Sequence, residues 1–135
     1  MGQKTNPKAL RLKIVQDFEN LWYSNISYSK FLYEDYKIRK FIADKLKRAS
    51  ISDVKLSRKD NEVVFLDIIS AKPGMVLGKG GELINKFKKD MSDKFNKKFI
   101  VNVIEEKNPE KSAKLLAEIV IAQLEKRVPF RRAMK

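Results

Sequence analysis

Three of the four residues Gly78-Lys79-Gly80-Gly81 are glycines, set between the apolar turn Met75-Val76-Leu77 and the apolar helix start Leu83-Ile84. A backbone this poor in Cβ atoms can bend through left-handed conformations and bring its N–H groups close to something large and anionic. The helix that starts at the loop aims its positive end the same way. The chain is therefore committed at this point to helix, tight loop, helix, and its other elements must be arranged around that unit.

The flanking pattern supplies those elements. From Lys30 to Arg48 the period is helical, with Ile38, Phe41, Ile42 and Leu46 in one stripe and Lys37, Lys40, Lys47 and Arg48 on the opposite arc. Val54 and Leu56 alternate with polar residues, while Val63 to Ile69 is almost continuously apolar and suits a central strand. Lys59-Asp60-Asn61 between them has turn chemistry, which predicts a hairpin. After the glycine loop, Ile84, Phe87, Met91 and Phe95 line one face of a second helix, and Phe99 to Ile104 reads as a third strand. Asn108-Pro109 offers an N-cap and a proline at the first helical position of a last helix. That helix is expected to run to about Arg127, with Ala113, Leu116, Val120 and Leu124 inward, until Pro129 stops it. The order predicts an α+β fold: a small three-stranded sheet covered by helices, preceded by an irregular N-terminal extension over residues 1–29.

Charge narrows the partner. Thirty Lys and Arg against 17 Asp and Glu leave a net charge of +13, so a polyanion is expected, with nucleic acid favoured over a membrane surface. The chain has neither cysteine nor histidine. Disulfides, thiolate and imidazole metal sites and the usual nucleophile–histidine pairs are thereby excluded, and neither an enzyme nor a cofactor is expected. Seven of the 13 aromatics lie between Phe18 and Tyr36, among them Trp22, Tyr23 and Tyr28. They can staple the extension to the domain or present rings on which bases stack.

The loop has to be told apart from other glycine loops. A mononucleotide loop needs four residues between its glycines and then Lys followed by Ser or Thr, whereas Gly74 and Gly78 enclose three and Lys79 is followed by Gly80. A dinucleotide fingerprint needs three glycines directly after a strand, which this stretch also lacks. What remains is the G-x-x-G loop of a KH domain, which clamps about four nucleotides by their backbone, or a bare helix–helix turn. Lys72, Lys79, Lys86, Lys88, Lys89, Lys94, Lys97 and Lys98 outnumber Glu82, Asp90 and Asp93 around it. Lys79, inside the loop, is the first candidate for a phosphate contact.

Several blocks resemble one family, the third protein of the small ribosomal subunit in its bacterial form. These are the opening Met1-Gly2-Gln3-Lys4-Thr5-Asn6-Pro7, then Trp22-Tyr23 and Glu34-Asp35-Tyr36-Lys37-Ile38-Arg39-Lys40. Lys72 to Gly81, Asn108-Pro109-Glu110, Gln123 to Arg127 and Phe130 to Lys135 follow in order. The resemblance implies a type II KH domain over residues 30–128, docked on 16S-type ribosomal RNA in the subunit head. It also implies neighbouring head proteins as partners, no membrane, and a place in the cytoplasmic ribosome of a bacterium or in an organelle ribosome. Family members line the channel through which mRNA enters, and Arg131, Arg132 and Lys135 match basic residues presented there. Pro129 departs from the small polar residue expected at that position.

The RNA-binding set expected from residues and resemblance together has three parts. Lys4, Lys8, Arg11 and Lys13 lie on the extension. Lys72, Gly78, Lys79, Gly80, Gly81, Lys86 and Lys89 surround the loop, and Arg127, Arg131, Arg132 and Lys135 close the chain. Residues 129–135 are expected to begin a connection to a second domain absent from this chain. The other function class that fits is a free-standing KH regulator of single-stranded RNA.

Overall fold

A computed structural model describes residues 2–59 and 62–134, apart from the side chain of Arg48. Among these residues the chain forms α1 (Pro7–Arg11), β1 (Asn20–Leu21), α2 (Tyr28–Lys45), β2 (Ile51–Arg58), β3 (Val63–Ser70) and α3 (Pro73–Leu77). It continues with α4 (Glu82–Phe95), β4 (Lys98–Glu105), α5 (Ala113–Glu125) and α6 (Phe130–Ala133). The strands form one sheet in the order β1-β2-β3-β4, in which β2 and β3 are antiparallel and both outer pairs are parallel. The expected α+β class holds, with one strand more than the three expected. The addition comes from the extension: Asn20 and Leu21 pair with Leu56 and Ser57 at the free edge of β2. Two residues are too few to show a period-2 pattern, so the strand is invisible until its partner edge exists. Asp60 and Asn61 of the expected turn lie outside the described residues.

The core lies between one face of the sheet and a layer made by α2, α3 and α4. Ile38, Ile42, Val76, Ile84, Phe87 and Met91 from the helices meet Val54, Leu56, Val64, Leu66, Ile68, Phe99 and Val101 from the strands, all buried. A bulge at Ser52 shifts the alternation of β2 by one residue. Ile51, Val54 and Leu56 consequently all face the core, opposite Ser70, Ile68 and Leu66. Ser70 is buried and satisfied: its hydroxyl donates to the Ala49 carbonyl at 2.6 Å and accepts from the Lys72 N–H at 3.0 Å. That pair of bonds fixes the start of α3 against the end of β3. Asn96 closes α4 in the left-handed region (φ 52°), a conformation asparagine tolerates better than most residues.

The last helix departs from expectation. Asn108 caps nothing with its side chain, and Pro109 opens a short 3-10 turn to Lys111, so α5 begins only at Ala113. Leu115 is its buried residue, whereas Ala113, Leu116 and Leu124 are exposed and Val120 is half-buried. The expected stripe fails because α5 does not lie over the sheet. It meets mainly β2, the preceding turn and α6, so the face chosen by periodicity has no layer beneath it.

Candidate nucleic-acid interface

The glycine loop takes the conformation its composition predicts. Gly78 (φ 71°, ψ −178°), Gly80 (φ 61°, ψ 14°) and Gly81 (φ 79°, ψ 10°) all have positive φ. The roles differ. A Cβ built on Gly78 would lie 2.5 Å from Cγ of Leu83, so this glycine is required by packing as well as by backbone. Nothing lies within 4 Å of the corresponding position at Gly80 or Gly81. The backbone there faces open space, as a loop must if a phosphate is to approach it. Gly81 heads α4 without a side-chain cap; the Glu82 N–H is taken by the Lys79 carbonyl, and the positive end of the 14-residue helix points at the loop.

The loop's lysines are placed to reinforce that positive end. Lys72, Lys79, Lys86 and Lys89 are exposed, and none is ion-paired among the described residues. Asp90, one of the three nearby acids, is engaged by Lys45 at 3.2 Å. Chemically this is a cradle for a polyanion's backbone, with no donor set for a cation: among the described residues no cluster of acids could hold a metal ion.

The structure does not gather all the expected contact residues in one place. Lys4, Lys8, Arg11 and Lys13 follow the extension, which joins the sheet at the β2 edge, whereas α3 and α4 lie by β4 at the other edge. Three strand spacings of about 4.8 Å separate β1 from β4. Lys8 is paired with Glu19 at 3.3 Å, and Arg11 donates to the Pro7 carbonyl at 2.9 Å. Arg127 (φ 60°), Arg131 and Arg132 are exposed beyond α5 and on α6, and Lys135 lies outside the described residues.

Two clusters hold the extension in place: a Trp22 staple that the aromatic run allowed, and an Arg39 clamp that the sequence reading missed. Arg39 of α2 donates to the Val54 carbonyl and to Asn20 Oδ1, both at 2.6 Å, and so clamps β1 onto β2. Trp22 packs against Tyr28 and Phe31, with ring centroids 5.4 and 5.5 Å apart, and its indole N–H donates to Asp35 at 2.7 Å. Trp22 is thus a staple, whereas Tyr23, Tyr28, Tyr33 and Tyr36 are exposed. Asp35 is buried and bonds Arg58, whose guanidinium also meets Glu34 at 2.9 Å and lies 4.7 Å over the Phe31 ring. The Arg58 Nε is left without an acceptor.

Both members of that buried pair were legible in principle. Arg58 continues the core-facing register of Val54 and Leu56, and Asp35 lies three residues before Ile38 on the buried stripe. Burial by itself pushes the Glu34 carboxyl up. Hydrogen bonds and charges from Lys97, at 2.6 Å, and from Arg58 outweigh it and hold the group below the ordinary carboxylate range.

With this geometry in hand, the family follows. The KH domain family model matches residues 37–111, which takes in β2 to β4, the loop and both its helices. The chain belongs to the KH domain family. The likeness to the bacterial third protein of the small subunit is also shown, over the whole chain. The chain is 46% identical to the Small ribosomal subunit protein uS3 of Desulfitobacterium hafniense, and 47% to proteins of that name from Pediococcus pentosaceus and Ehrlichia chaffeensis. Each alignment covers 100% of this chain and 61%, 60% and 64% of the respective relative. The chain therefore spans about three fifths of the length of the curated relatives it matches. The KH match spans Gly78 to Gly81, which puts the loop inside the matched domain and favours the G-x-x-G reading over a bare helix–helix turn.

Proposed function

We propose that this KH domain is a structural, RNA-binding part of the small ribosomal subunit of a bacterium, docked on 16S-type ribosomal RNA in the subunit head. The whole-chain likeness to relatives named for that subunit carries the reading. The open, lysine-bearing loop at the head of α4 agrees with it in chemistry. In this reading residues 1–29 are an extension on RNA, 30–128 the domain and 129–135 the start of a connection. The loop set (Lys72, Gly78, Lys79, Gly80, Gly81, Lys86 and Lys89) meets phosphates. Lys4, Lys8, Arg11 and Lys13 fix the extension on the same RNA. Arg127, Arg131, Arg132 and Lys135 face the channel through which mRNA enters, beside neighbouring head proteins. The role is non-enzymatic and its place is the cytoplasm.

Two measurements test this. Lys79→Asp combined with Gly80→Asp should weaken binding to a 16S ribosomal RNA transcript with an unchanged circular-dichroism spectrum, since both positions face open space. Unchanged affinity would remove the loop from the interface. In a sucrose gradient of a bacterial lysate, tagged chain should sediment with small subunits and survive a moderate salt wash. Recovery only in the light fractions, bound to short single-stranded RNA, would favour a free-standing KH regulator instead.

A further inference from the structure

Lys94 lies near the other end of α4 from the glycine loop, about 18 Å along the axis at about 1.5 Å per residue. There α4 and α2 leave a groove of about 360 Å³ lined by Lys37, Lys40, Phe41, Asp44, Lys94 and Phe95. Its floor is aromatic: Phe41 stacks on Phe87 at 6.0 Å and meets Phe95 edge-on at 6.3 Å. The floor does not offer a face to a base, because the Lys94 ammonium sits 4.3 Å over the Phe41 ring. It holds cations instead. Lys94 also lies 5.9 Å from the Phe95 centroid, and Lys37 lies 4.1 Å over Tyr33 on the same helix face.

Cation–π contact holds an ammonium in place without neutralising it, so less freedom is lost when an anion arrives. Lys37, Lys40 and Lys94 have no ion-pair partner among the described residues, and Asp44 is the single acid in the lining. The other acid close by, Asp90, is held by Lys45, which bridges the two helices at 3.2 Å. Three lysines against one carboxylate line the groove, with Lys94 over its apolar floor, and together they suit a chain of phosphates. The groove's volume suits a single strand of one or two nucleotide units.

We propose that this groove is a second RNA site, which takes the phosphate backbone of a single strand and is separate from the glycine loop. The proposal rests on the RNA-binding reading above and adds to it a surface that the KH loop does not supply.

The test is the salt dependence of affinity for a fluorescein-labelled oligouridine, measured by anisotropy on the full chain. Lys37→Gln/Lys40→Gln/Lys94→Gln should lower the slope of log affinity against log salt by about 2, three phosphate contacts at about 0.7 each on a single strand. A control that removes the same charge elsewhere, Lys107→Gln/Lys111→Gln/Lys114→Gln, should keep the wild-type slope. An equal fall in the control, or displacement of the RNA by polyglutamate at matched charge concentration, overturns the groove as a phosphate site. A steep wild-type slope that the groove variant leaves unchanged overturns this proposal alone, and a wild type that binds no RNA overturns both readings. Amine acetylation of the unaltered protein, read by mass spectrometry, gives a check free of any folding effect. Oligouridine should protect Lys37, Lys40 and Lys94, and equal labelling with and without RNA would refute the site.

Discussion

Replacing Gly78 and Gly80 one at a time by alanine separates two duties that look the same in the sequence. At Gly78 the backbone (φ 71°, ψ −178°) is in a region that only glycine enters freely, a strain of about 1–3 kcal/mol for another residue. The added Cβ would also meet Leu83 at 2.5, 2.6 and 2.8 Å, to Cγ, Cδ1 and Cβ. Leu83 is half exposed and can swing its outer atoms away, but its Cβ moves only with the backbone of α4. Such overpacking costs about 1–3 kcal/mol. Gly78→Ala should therefore destabilise the domain by about 2–6 kcal/mol.

At Gly80 the left-handed backbone (φ 61°, ψ 14°) costs about 1–2 kcal/mol for a residue with Cβ, and nothing lies within 4 Å to clash. Alanine restricts the unfolded chain equally at both sites, so that effect cancels in the comparison. The difference between the two variants is then roughly 1–4 kcal/mol. Urea unfolding followed by circular dichroism measures it as a difference in midpoint at constant slope. If Gly80→Ala proves as destabilising as Gly78→Ala, the contact with Leu83 is not what demands glycine at 78, and the reasoning fails. RNA affinity should rank the variants the other way at temperatures where both are folded, because the open space at Gly80 is where a phosphate approaches.

Trp22→Phe keeps an aromatic ring between Tyr28 and Phe31 but removes the donor to the buried carboxylate of Asp35. A loss of about 1–3 kcal/mol is expected in urea unfolding, with faster proteolysis of the extension; wild-type behaviour in both would show that the indole bond does not hold β1. The lowered Glu34 group sets a pH dependence of known sign. Its stabilising effect is present above the ordinary carboxylate value of about 4.3 and is lost as pH falls through the lower folded value. Stability should accordingly fall more steeply from pH 5 to pH 3 in the wild type than in Glu34→Gln, and parallel curves would count against the Lys97–Glu34–Arg58 network as the cause.

What residue order determined by itself is whatever depends on neighbours within a few positions. Glycine's freedom at 78, 80 and 81, the stripe of Ile84, Phe87 and Met91, and the apolar run of β3 are local properties, and each appears in the structure where its pattern puts it. The blocks that resemble a ribosomal family added the KH loop and the RNA partner by likeness. Tertiary structure alone decided the rest, because it depends on groups that meet from far apart in the chain. Asn20 and Leu21 become a strand only because the β2 edge is open and Arg39 reaches across to hold them. Leu115 is buried in place of Leu116 because α5 meets β2, the preceding turn and α6 and does not cover the sheet. The groove of Lys37, Lys40 and Lys94 exists because the C-terminal half of α2 and the end of α4 come together over Phe41. Periodicity assigns a side chain to a face of its own helix; which neighbour covers that face is settled only when the layers pack.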